Sequence, residues 1–93
     1  MSQDDPIPGS VVPRLSPTFR LQYEQAQQSW VLLYPEGMVK LNPSAAEILQ
    51  RCDGVRDVAT ITRELEQAFD EADLSADVAA FVRIARDQHW LVI

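Results

Sequence analysis

The sequence is short of almost everything that catalysis uses. Its 93 residues include one cysteine, one histidine and three glycines. A lone cysteine forms no intramolecular disulfide, and with one histidine beside it the chain falls short of the four ligands that a structural zinc takes. The glycines stand at 9, 37 and 54, too scattered for a phosphate-cradling loop. Acidic residues outnumber basic ones 14 to 8, and the formal charge of −6 turns the surface against phosphate backbones. No apolar run approaches the roughly 20 residues that cross a bilayer. The first five residues, MSQDD, carry acids where a secretory signal carries bases. The expectation is a cytoplasmic protein with no cofactor, no metal, no nucleic acid and no membrane partner.

What is present is enough for one core, since 46% of the residues are hydrophobic. Residues 1–17 contain Pro6, Pro8, Pro13 and Pro17 with Gly9, a composition that extends the chain locally while burying little. They read as a flexible, proline-rich arm, either untethered or packed on a partner through Val11, Val12 and Leu15. Residues 18–93 read as a single domain.

From Thr18 the period is two. Phe19, Leu21 and Tyr23 alternate with polar residues, and Trp30, Leu32 and Tyr34 follow after the polar break QAQQS. The stretch YPEG then predicts a four-residue turn, with Pro35 second and Gly37 last and free to adopt a positive φ. The segment GMVKL returns as a third strand. Helices come next. Asn42 caps the first, with Pro43 opening it, Ala45, Ile48, Leu49 and Cys52 on its apolar stripe, and Gly54 as its left-handed stop with Val55 folded back on Leu49. Asp57 caps a second, striped by Val58, Ile61, Leu65, Ala68, Phe69 and Ala72. Ser75 caps a third, with Val78, Phe81, Val82 and Ala85 on its face. The ending HWLVI is too apolar for a free tail and is expected to pack back on the domain. The fold class is α+β: a three-stranded antiparallel meander followed by three helices, in a winged-helix-like order.

Catalysis finds no footing in this pattern. Cys52 falls on an apolar stripe, where free cysteine behaves as a small buried hydrophobe. His89 ends the third helix, where it suits the last carbonyls better than proton transfer. Binding remains. The third strand ends a meander, and an unpaired edge there is a template for an extended peptide. Met38, Val39, Lys40 and Leu41 on that strand, with Ala80, Phe81 and Ile84 on the third helix, are the expected walls of a peptide groove.

The segments LLYPEGMVKLN and SAAEILQRCDG, followed by Trp90-Leu91, resemble the PqqD family of pyrroloquinoline quinone biosynthesis. The carriers of the resemblance are Pro35, Glu36 and Gly37, then Leu41 and Asn42, then Cys52, Asp53 and Gly54, at these spacings. It spans about Pro13 to Leu91. His89 stands where a glycine often precedes the Trp-Leu pair, and this departure bears on the end of the third helix. The resemblance implies a non-catalytic peptide chaperone, the prototype of the precursor-recognition domains of peptide-modifying pathways. Such a domain holds the ribosomal precursor peptide as an added strand between the third strand and the third helix. It presents that peptide to a radical S-adenosylmethionine enzyme. Two other readings stand beside it: a binder of the small quinone through Trp30, Tyr34 or Arg20, and a winged-helix DNA binder, which the charge opposes. A monomer or a weak, edge-paired or swapped homodimer is expected.

Overall fold

The computed structural model describes residues 7–93. The alternating segments form the meander: β2 (Arg20–Glu24), β3 (Ser29–Tyr34) and β4 (Gly37–Lys40), antiparallel in the order β2-β3-β4. Register aligns Leu21, Leu32 and Val39 across the sheet, so all three face the helices. Val31 points the other way and is also fully buried, standing between its cross-strand neighbours Gln22 and Lys40. The β3–β4 connection is a two-residue turn at Pro35 and Glu36. Gly37 does not take the positive φ expected of it, and a Cβ there meets nothing closer than the Tyr34 hydroxyl at 3.5 Å. The turn therefore closes without the freedom of a glycine at its fourth position.

Helix α1 (Pro43–Gln50) begins as its sequence requires. The Ala45 N–H donates to Asn42 Oδ1 at 2.8 Å, and Pro43 occupies the first turn, where no N–H is needed. Its stop differs from the expectation. The Arg51 N–H closes the last turn on the Ile48 carbonyl, and Val55 is exposed rather than packed on Leu49. Gly54 does adopt φ +79°, but it serves the passage into α2 (Val58–Ala68), where its N–H donates to the Pro13 carbonyl. The conformation favours glycine, and a Cβ there would approach the Arg14 Cβ to 3.3 Å, asking that side chain to give by a few tenths of an ångström.

The first turn of α2 is capped twice. Asp57 Oδ1 accepts the Thr60 N–H at 2.8 Å, while the Val58 and Ala59 N–H groups donate to the carbonyls of Val11 and Gly9 at 2.8 and 3.0 Å. These groups are the orphan donors of any helix start, here satisfied by the N-terminal segment. The free arm expected over 1–17 is thus corrected from residue 7 onward; residues 1–6 lie outside the described part. Ile7 and Pro13 are buried, Val11 and Leu15 pack on the core of their own domain, and Val12 stays exposed. Prolines here fix an extended strap whose carbonyls face a helix that needs acceptors.

The third helix, α3 (Ser75–Asp87), is not capped by Ser75. Leu74 is the N-cap, and its N–H donates to Glu66 Oε2 of α2 at 3.0 Å. The C-terminal pair returns as β5 (Leu91–Val92), antiparallel to a short β1 (Arg14–Leu15), and the Ser16 N–H donates to the Trp90 carbonyl at 2.8 Å. One core joins the layers, centred on Leu32, Ile61, Val82 and Ala85.

Candidate functional site

Strand β3 is central, so among the described residues β2 and β4 each keep one open edge. Their ladders decide which backbone groups face outward. In an antiparallel pair, residues alternate between bonding the neighbour and pointing away from it. The Leu41 N–H donates to the Trp30 carbonyl at 3.0 Å, which puts Leu41, Val39 and Gly37 on the bonded side. Met38 and Lys40 then turn their N–H and C=O groups to the open edge. Their side chains are exposed as well, Met38 by 45%. Val39 and Leu41, expected as pocket walls, send half-buried and buried side chains towards the helices.

On α3, Ala80, Phe81 and Ile84 lie on one face by their helical spacing. Ala80 and Phe81 are half-buried and Ile84 is 53% exposed. Phe81 packs against the core that also takes in Val39, and its ring lies 6.5 Å from that of Trp90. The residues singled out from sequence thus divide by role. Met38 and Lys40 lie on the outward side of β4, Phe81 and Ile84 on one face of α3, and Val39 and Leu41 turn to the core.

The Cys52-Asp53-Gly54 motif builds scaffold. The Cys52 thiol is buried, donates to the Ile48 carbonyl at 3.2 Å, and is pushed up to about 12 by burial and then by the charge of Asp53. Burial and a raised pKa both keep it as the thiol, the poorly nucleophilic form, at neutral pH. Asp53 Oδ1 accepts the N–H groups of both Arg56 and Val55 at 2.9 Å, and these two bonds hold its carboxyl below the usual carboxylate range. From Asp53 a chain of ion pairs runs through Arg56, Glu64 and Arg51 to Glu47, tying α1 to α2. His89 is exposed and 37 residues along the chain from Cys52, with no bond between them among the described residues. Of the quinone candidates, Arg20 and Tyr34 share one open depression at the end of the sheet, whereas Trp30 packs edge-on against Tyr23 at 5.7 Å.

Two features escaped sequence reasoning. The outward groups of Met38 and Lys40 follow only from the register, and the strap over α2 follows only from the pairing of β1 with β5. Neither leaves a local periodicity to read.

Comparison with known proteins agrees with this architecture. Over residues 29–91 the chain matches the family model described as "Coenzyme PQQ synthesis protein D (PqqD)". It is 54% identical over 83 residues to a PqqA binding protein of Pseudomonas fluorescens Pf-5, covering 88% of this chain and 91% of that one. It is 49% identical over 81 residues to a PqqA binding protein of Azotobacter vinelandii, covering 86% and 88%. A solution structure of the PqqD truncation of Methylobacterium extorquens PqqCD, described as a functional and stand-alone recognition element for ribosomally synthesized, post-translationally modified peptides, superposes with a TM-score of 0.77. Identity there is 31%, over 92% of this chain and 94% of that one. The crystal structure of PqqD from Xanthomonas campestris superposes with a TM-score of 0.57 at 31% identity, over 94% and 99%. With a family model matching residues 29–91, relatives about half identical over most of the chain and a solved PqqD fold superposing on it, this chain belongs to the PqqD family.

Proposed function

We propose that this protein is a non-catalytic binding protein for the precursor peptide of coenzyme PQQ, the PqqA peptide named in its relatives. The observation that carries the reading is the open β4 edge, where Met38 and Lys40 present main-chain groups that no strand pairs among the described residues, next to the core-facing Val39 and Leu41. An extended peptide bonding to that edge gains affinity from backbone pairing and selectivity from alternate side chains, one set over the Phe81–Ile84 stripe and the other beside Met38 and Lys40. Held this way, a flexible precursor is ordered and concentrated for a modifying enzyme, which we place as a radical S-adenosylmethionine enzyme of the same pathway, working in the cytoplasm. Binding supplies the whole contribution, and no group of this chain reacts.

The test uses proline as a backbone probe. Met38→Pro and Lys40→Pro each delete an outward N–H while leaving the ladder to β3 intact, so both are expected to fold. Each should weaken PqqA binding by about tenfold or more, since tenfold is about 1.4 kcal/mol and each loses a strand hydrogen bond with its geometry. Val39→Pro serves as the contrast, because it removes an inward N–H and should unravel the hairpin. Wild-type affinity in folded Met38→Pro and Lys40→Pro proteins would sink strand addition at β4.

A further inference from the structure

Beyond β4 and the α3 stripe, the surface dips where three helices meet. Ile48 of α1, Leu65 of α2 and Val78 of α3 form a buried apolar floor, and Leu74 and the half-exposed ring of Phe69 stand at its edge. At about 280 Å³ the depression falls below the roughly 300–1,000 Å³ of small-molecule sites and suits one or two side chains. Its rim is acidic. Glu71 and Asp77 line it, Asp70 precedes Glu71 in the chain and Asp73 stands between the two, and no basic residue occurs from Glu64 to Val82. Glu64 and Glu66 are engaged by Arg51, Arg56 and the Leu74 N–H, whereas no ion pair holds the other four among the described residues.

Its position gives the occupant. Ser44, which lines the depression, comes three residues after Leu41 at the exit of β4, and Asp77 lies one helical turn before Phe81 on the same face of α3. Along the chain, the hollow is thus next to both elements proposed above to hold the peptide. The geometry points to a second subsite of that groove, seating an apolar side chain of the client peptide with a lysine or arginine of the same peptide against Glu71 and Asp77. The apolar floor supplies burial, and the acidic rim selects for an adjoining cation and rejects acidic neighbours. The inference rests on the peptide-binding reading and adds the chemistry of the segment recognised outside the strand.

A double-mutant cycle tests it. The probe is the PqqA peptide of Pseudomonas fluorescens, with each lysine and arginine replaced in turn by glutamine, titrated against wild type and the Glu71→Gln/Asp77→Asn variant. The altered carboxylates are exposed, and circular dichroism checks the fold. One cationic residue should couple to the pair at least fivefold in affinity, with the coupling shrinking between about 0.05 and 0.5 M salt, and Phe69→Ala should weaken binding of the unaltered peptide. Purely additive losses for every cation, with binding still sensitive to Met38→Pro, would overturn the subsite and leave strand addition standing. Absence of any binding by wild type would overturn both.

Discussion

The Trp90 N–H donates to the Ala85 carbonyl at 2.9 Å, and between them His89 holds φ +65°. With the His89 N–H on the Arg86 carbonyl, also at 2.9 Å, this is a Schellman ending whose left-handed position is filled by a side chain that dislikes it. His89 in this place therefore adds strain to a turn that glycine would take freely. His89→Gly should stabilise the protein by about 1 kcal/mol, or about 5 °C in Tm for a domain of this size, read by thermal unfolding with peptide affinity unchanged.

The strap makes a sharper claim on stability. Ile7→Ala removes a buried side chain and loosens the segment whose carbonyls cap α2, for a loss of about 2 kcal/mol in urea unfolding. In the same variant the Val58 and Ala59 amides should exchange with solvent faster than in wild type, because their acceptors belong to the strap.

Cys52 supplies an internal reporter. Its thiol keeps its proton up to about 12 in the fold, whereas in the unfolded chain it ionises near pH 8.5. Between those values the unfolded state binds fewer protons, so stability falls as pH rises above about 9. Cys52→Ala should lose that slope. An alkylating reagent at pH 8 should label the native protein only as fast as it opens, and the urea-unfolded protein at once.

At the acid end the signs reverse. Hydrogen bonds from Arg56 and Val55 depress Asp53, and the hydroxyl and N–H of Thr60 depress Asp57. Both carboxylates thus contribute stability above about pH 4 that drains away as pH falls through their lowered values. Asp57→Asn keeps a capping oxygen but cannot titrate. Its urea midpoint should drop less than that of wild type between pH 7 and pH 3.

The elements readable in the sequence were those whose causes lie close together in the chain. Alternation placed β2 and β3, Asn42 and Asp57 announced two helices, and Pro35-Glu36 marked a turn, because each signal is complete within a few residues. Where a partner comes from afar, the reading failed. Ser75 looked like a cap because the true acceptor for Leu74 is Glu66, eight residues earlier on another helix. The strap looked free because its worth depends on donors more than 40 residues away, at Val58 and Ala59. Phe69 read as part of a buried stripe, yet α2 ends at Ala68 and leaves the ring at a surface hollow. The peptide edge was legible as a strand; which of its residues face outward was not, since a one-residue change of register reverses the answer.

Pairing Arg14 with Val92 has a consequence for how the domain assembles. The hairpins and helices close loops of a few residues, whereas β1 and β5 close nearly the whole chain, and the entropy of that closure is recovered only when the rest is in place. On this argument the latch between the two ends is expected to form late and open early. It secures Trp90, against which Phe81 rests. The firmness of the helix wall offered to a peptide is thus set by the chain's own first strand, at the far end of the sequence.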